Sequence, residues 1–306
     1  MGKVSPSPIR KGERFSEDKD ANGLRRSQQL RVWISILGVV EMAASNGNEW
    51  FLRAEQSSGA ELLLFCFPYA GGTASMYRKW ASLIPPTVEI IPVEPPGRGR
   101  RLAEPSFRRL PALIEALTPK ISSLLDRKFA LFGHSMGAVI AFELARELRR
   151  RSGLLPEHIF ISGSRAPQVR DETPITYDLP ENEFRAELQK LNGTPAEVLE
   201  NAELMNLMLP LLRADFELVQ TYQYCDEPPL DCPLTIYGGL HDPDISREML
   251  LPWEQQTKAQ FSLHMLPGDH FFLRSASHQL LDLLRQELFG LTARFMRPWI
   301  SGAGQA

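Results

Sequence analysis

The pentapeptide Gly133-His134-Ser135-Met136-Gly137 constrains this chain more than any other stretch. It follows directly on the apolar run Phe129-Ala130-Leu131-Phe132 and leads into Ala138-Val139-Ile140-Ala141-Phe142-Glu143-Leu144-Ala145, which reads as a helix. A buried strand that becomes a helix within five residues brings the two backbones nearly into contact, so a side chain at either glycine would clash. The serine between them is then held with its hydroxyl exposed above the edge of the sheet. A chance Gly-x-Ser-x-Gly would carry neither the strand before nor the helix after.

The chain is 306 residues long, enough to bury a large core as one domain with insertions. A net charge of −3 argues against general attraction to nucleic acid or to an anionic membrane. Cys66, Cys225 and Cys232 are an odd set without metal-ligand spacing. They therefore suggest neither a disulfide framework nor a zinc site, and a reducing cytoplasm is the expected compartment.

Residues 1–45 have a different character. Up to Gln29 they are rich in Ser, Pro, Lys, Arg and Asp with little to form a core, and are expected to be disordered. The apolar stretch 32–40 is too short to span a bilayer. It resembles the apolar region of a signal peptide, but lies late and follows acidic residues. A simpler expectation is that translation starts at Met42, since the sequence becomes domain-like only around Trp50-Phe51-Leu52.

From residue 60 onward, apolar runs alternate with helical patterns. Strands are expected over 61–67, 88–93, 129–132, 158–162, 233–237 and 260–266, and helices over 74–83, 110–125, 137–150, 247–258 and 277–288. Most of the strands are continuous apolar runs, as in a parallel sheet buried on both faces. With the serine turn, this predicts the α/β class and specifically an α/β-hydrolase fold over 50–290. One stretch, about 174–229, holds helical patterns only (181–191, 194–200, 202–222) and reads as a lid over the carboxyl edge of the sheet. Residues 291–306 read as a tail with no assignable role.

A serine hydroxyl needs a base, and the base an orienting acid. In this fold the order along the chain is Ser, then Asp or Glu, then His, each in a loop after a strand. Of six histidines, His134 adjoins the serine, His158 and His264 fall in expected strands, His278 falls in a helix and His241 lies where the acid belongs. His270, in the loop after the last strand, is left as the base. The acid is Asp242, whose backbone Pro243 restrains, with Asp244 in reserve. Asp269 is too close in sequence to reach the imidazole and reads as a turn former. Oxyanion donors are expected from the Met136 N–H and from the loop Phe67-Pro68-Tyr69-Ala70-Gly71-Gly72-Thr73, where Ala70 is preferred over Tyr69.

These residues, with Pro96-Gly97-Arg98-Gly99-Arg100-Arg101, Leu191-Asn192-Gly193-Thr194-Pro195, Leu212-Arg213-Ala214-Asp215-Phe216, Tyr237-Gly238-Gly239 and Gly268-Asp269-His270-Phe271, make the chain resemble type II thioesterases. Those are the discrete editing enzymes of nonribosomal peptide and polyketide synthases. The resemblance runs over roughly 50–288. It departs at Tyr69, where the family usually has His, and at His241, where an Asp often precedes the catalytic one.

The resemblance implies hydrolysis of acyl thioesters on phosphopantetheinyl carrier domains through an acyl-Ser135 intermediate, with no metal or other cofactor. Its partners are then carrier domains; a monomer is expected, with neither nucleic acid nor membrane as partner. Arg98, Arg100, Arg101, Arg108 and Arg109 suggest a docking face for acidic carriers, with Arg98 and Arg101 as the leading candidates, against the plainer reading of a solvated face. Competing readings are a carboxylesterase or lyso-lipid acyl hydrolase, an acyltransferase, and a catalytically silent binding protein on the same scaffold.

Overall fold

The computed structural model describes residues 49–53, 59–194 and 196–295. The expected disordered extension, the Met42 start and the end of the tail lie outside them. Six strands form one parallel sheet: β1 (Leu62–Phe67), β2 (Val88–Pro92), β3 (Lys128–His134), β4 (Ile159–Ser162), β5 (Leu234–Gly239) and β6 (Phe261–Leu266), in the order β2-β1-β3-β4-β5-β6. All six match runs expected from the sequence, and the fold is the expected α/β-hydrolase type.

Alternation along β1 shows how the sheet is covered on both sides. Leu63, Phe65 and Phe67 point into a core shared with helices α1 (Leu110–Ser122) and α2 (Met136–Ser152). Leu62, Leu64 and Cys66 point into a second core, against Tyr77, Trp80 and the apolar face of a long C-terminal helix. With both faces of the sheet buried, β1 and the middle of β3 are unbroken apolar runs.

Among the described residues between β4 and β5 lie three helices and no strand: α3 (Glu181–Lys190), α4 (Ala196–Glu200) and α5 (Ala202–Gln220). They share a small core of their own that includes Phe184, Leu188, Met205, Leu209 and Leu212. Asn201 caps α5 by accepting from the Leu204 amide at 3.1 Å.

Three helix expectations are corrected. The segment expected as one helix over 247–258 is a single turn, α6 (Arg247–Leu250), followed by a 3-10 turn over Leu251–Gln256, because Pro252 cannot continue an α-helical ladder. The Ala74–Ser82 helix is 3-10 rather than α. After the short α7 (Phe272–Ser275), the last helix, α8 (Ser277–Phe295), runs past the expected end at 288 into the region read as tail; buried Leu291 and Thr292 hold the extension to the domain. No helix among the described residues is long and apolar enough to cross a membrane.

The register brings the carboxyl ends of the strands to one edge: Phe67 lies opposite Gly133, His134 opposite Ser162, Ser162 opposite Tyr237, and Gly239 opposite Leu266. Loops leaving this edge are where open α/β sheets place their ligands.

Candidate active site

Ser135 occupies the turn between β3 and α2 with φ 53° and ψ −115°. A non-glycine residue in this region stores about 1–3 kcal/mol, which surrounding contacts must offset. Those contacts are close. A methyl group on Gly133 would stand 2.0 Å from the Gly137 carbonyl oxygen, and one on Gly137 would stand 2.1 Å from the Phe67 carbonyl oxygen. The Ser135 amide donates to the Ser162 carbonyl at 2.8 Å, tying the turn to β4.

His270 lies in the turn after β6, and Asp242 in the loop after β5. The imidazole Nδ1 is 2.7 Å from Asp242 Oδ2. A carboxylate only accepts, so Nδ1 carries the proton and Nε2 is left as the basic atom. The other carboxylate oxygen accepts the backbone amides of Asp244, at 3.0 Å, and Ile245, at 3.1 Å, and the Asp242 side chain is fully buried. Asp244 is exposed and contributes its amide, not its carboxylate. Asp269 forms a tight turn by accepting from the Phe271 amide at 2.9 Å. The two loops approach so closely that a methyl group on Gly239 would stand 2.4 Å from the Asp269 carbonyl oxygen.

Beneath this pair sits His134, fully buried, with its ring centroid 5.3 Å from that of His270 and Nδ1 2.9 Å from Ser162 Oγ. Burial first, and then the neighbouring His270, push its pKa well below the ordinary histidine value. It remains neutral and adds no positive charge beside His270.

Ser135 and His270 both line a cavity of about 340 Å³, together with Ala70, Leu188, Leu212 and Phe216. The helices between β4 and β5 therefore form one wall of the space into which the serine opens. A second cavity of about 260 Å³, toward Val139, Phe142 and Trp253, meets the same serine and histidine. A larger cavity, about 720 Å³, lies away from Ser135, between α1, α2 and the chain after α5, where Arg146 and Arg150 both pair with Glu227. Ala70 stands in a turn closed by the Gly72 amide donating to the Tyr69 carbonyl at 2.8 Å, with Gly71 at φ 76°. Met136 is the first residue of α2, where a backbone N–H has no partner within the helix.

The docking expectation for Arg98 and Arg101 is corrected. Arg98 is 3% exposed and forms a forked ion pair with Asp215 of α5, at 2.7 and 3.0 Å. Arg101 is also buried; it pairs with Glu104 at 2.6 Å and lies 4.2 Å over the Trp50 ring. A short 3-10 turn over Gly99–Arg101 carries these guanidinium groups inward. Arg108 and Arg109 are exposed, but both pair with Glu217. Sequence alone gives no sign of the pairings of Arg98, Arg108 and Arg109, whose partners lie more than 100 residues away. Nor does the sequence reveal the side-chain partner of Tyr69. Its hydroxyl accepts from Arg274, whose guanidinium packs over the Tyr69 and Phe271 rings and also donates to the Gly193 carbonyl at 3.1 Å.

A family model described as "Thioesterase domain" matches residues 63–288. The chain belongs to the thioesterase family. Among relatives of this thioesterase is the gramicidin S biosynthesis protein GrsT of Aneurinibacillus migulanus, 42% identical over 244 residues, which are 80% of this chain and 95% of that protein. A solved relative is the RedJ thioesterase from the prodiginine biosynthetic pathway in Streptomyces coelicolor, with TM-score 0.72 and 37% identity, covering 81% of this chain and 96% of that one. The type II thioesterase BorB from the borrelidin biosynthetic cluster superposes with TM-score 0.73 at 31% identity, covering 80% and 99%. The thioesterase thus shares nearly the full length of these proteins from biosynthetic pathways, and it is a hydrolase of thioester bonds.

Proposed function

We propose that this thioesterase removes acyl groups from phosphopantetheinyl carrier domains of nonribosomal peptide or polyketide synthases, using Ser135, His270 and Asp242. The observation that carries the mechanism is the 2.7 Å contact between His270 and the buried carboxylate of Asp242, on the wall of the cavity that holds Ser135. The near full-length similarity to BorB and GrsT supports the assembly-line setting.

In the first half-reaction His270 Nε2 takes the proton of Ser135 as Oγ attacks the thioester carbonyl. Asp242 holds the imidazole in the required tautomer and stabilises the imidazolium. The Met136 and Ala70 amides receive the oxyanion. Collapse breaks the C–S bond, and the proton on His270 leaves with the phosphopantetheine thiol. Water then attacks acyl-Ser135, gives its proton to His270, and the carboxylic acid departs as Ser135 recovers its hydrogen. The three-helix segment serves as the lid, whose apolar wall at Leu188, Leu212 and Phe216 accepts the acyl group and limits water.

The test compares one acyl group on a phosphopantetheinylated carrier protein, on coenzyme A and as a nitrophenyl ester, with Ser135→Ala alongside. Preference for the carrier-bound thioester, lost in the variant, is the expected result. Faster cleavage of the free ester would make the protein a general esterase.

A further inference from the structure

Asp215 stands on α5, in the helical segment between β4 and β5, and is 1% exposed. Its Oδ1 receives Arg98 Nη2 at 2.7 Å, and its Oδ2 receives Arg98 Nη1 at 3.0 Å. The same Oδ2 also receives the backbone amide of Gly71, at 2.7 Å. Arg98 Nη1 reaches the Gly72 carbonyl as well, at 3.3 Å. One buried ion pair therefore grips both polar ends of the Gly71–Gly72 segment, directly after Ala70. Leu212, one turn earlier on α5, closes on the same spot: a methyl group on Gly71 would stand 2.6 Å from its Cδ2.

Stability alone is a poor reason for such a pair. Taking two charges out of water costs about what their attraction returns, and an apolar pair of similar volume often does as well. The amide of Gly71 supplies another reason. A charged acceptor holds an N–H more strongly than a neutral one, and Arg98 is what lets that charge exist in the interior. Ala70 sits between two fixed points: the Tyr69–Gly72 turn, and the Gly71 amide anchored on α5.

We infer that Asp215 is a positioning residue for the oxyanion site: by holding the Gly71 amide it fixes the direction of the Ala70 N–H, and it does so from the lid. The inference rests on Ala70 being an oxyanion donor in the mechanism above. Asp215 touches no reacting atom. Its effect falls on the transition state, so it acts on the rate of bond formation at Ser135 and not on substrate capture.

The test uses two double variants that remove both buried charges, so neither leaves a lone ion to unfold the chain. Arg98→Met with Asp215→Asn keeps a carbonyl oxygen for the Gly71 amide. Arg98→Met with Asp215→Leu removes it. Each is reacted with a fluorophosphonate: Ser135 Oγ bonds to phosphorus, fluoride leaves, the serine proton passes to His270, and the phosphoryl oxygen occupies the oxyanion site. Labelling of the Leu form is expected to be at least about tenfold slower than that of the Asn form, since small displacements of a catalytic group cost up to about a hundredfold. The thermal midpoints of the two should lie close together. Equal labelling rates, or a rate difference that simply follows thermal midpoint, would overturn the inference while leaving the serine mechanism standing. A wild-type chain that takes no label at Ser135 would overturn both.

Discussion

The backbone of Gly137, in the first turn of α2, meets the Phe67 carbonyl at the end of β1 with no room for a methyl group between them. The same carbonyl accepts the Tyr77 hydroxyl at 2.6 Å, so it cannot easily turn aside. The contact sets the separation between the two segments that carry Met136 and Ala70. Gly137→Ala would push them apart by more than an ångström and is expected to lower kcat on any acyl substrate by about a hundredfold or more. Steady-state kinetics beside a thermal melt checks this, and an active, stable variant would refute it.

Asp242→Asn keeps the shape of the loop but offers His270 an amide in place of a carboxylate. The imidazole then loses the partner that sets its tautomer, and kcat should fall by roughly 10⁴-fold, the loss a triad carboxylate-to-amide change can produce. Asp244→Asn should stay within about twofold, because Asp244 gives only its backbone amide to the site. Comparable losses in both would reverse the assignment of the acid.

Stability should decline on the acid side partly through His158, away from the catalytic loops. It is buried, with Nε2 2.8 Å from Thr235 Oγ1 and its ring stacked on Phe160. Burial, aided by Arg294, depresses its pKa to about 4. An unfolded chain takes up the proton near the ordinary value of about 6.5, while the folded protein resists it. The contribution is therefore complete above about pH 6.5 and is lost as pH falls toward 4, on the order of 3 kcal/mol in all. Urea unfolding at pH 7.5 and 4.5 should show a smaller acid loss in His158→Gln than in the wild type. Identical losses would remove His158 from the account.

Tyr69 borders both the 340 Å³ cavity and a neighbouring one of about 240 Å³, with its ring fixed under Arg274. Tyr69→His shortens this wall and leaves Arg274 held only by Phe271 and the Gly193 carbonyl. Relative kcat/KM for a branched or long acyl group over acetyl should rise, by roughly the tenfold that a methylene or two is worth in an apolar pocket. An unchanged ratio across an acyl series would show that Tyr69 does not shape the pocket.

Local signals made much of this readable in advance. The tight serine turn announces itself because two glycines are required within five residues, and an unbroken apolar run identifies a strand with both faces covered. The sequence also named Ser135, Asp242 and His270, each in the loop after a strand, and the structure gathers all three around one edge of the sheet. Pairings between distant parts of the chain were not readable. In sequence Arg98 reads as part of a basic surface because nothing local distinguishes it from its four neighbouring arginines. Only the path of α5 reveals that an aspartate 117 positions later draws it inside. The same limit applies to Arg274 on Tyr69, and over 247–258 helical periodicity in the sequence masks the break that Pro252 makes.

The three helices between β4 and β5 have a hydrophobic core separate from the two that cover the sheet. Residues such as Leu188 and Leu212 belong to that small core and also face the cavity. Selection can therefore repack much of this unit, and so change which acyl groups fit, without disturbing the two cores that carry the sheet. Substrate range and chemistry are free to evolve at different speeds within one chain, except where α5 meets Gly71 through Leu212 and Asp215.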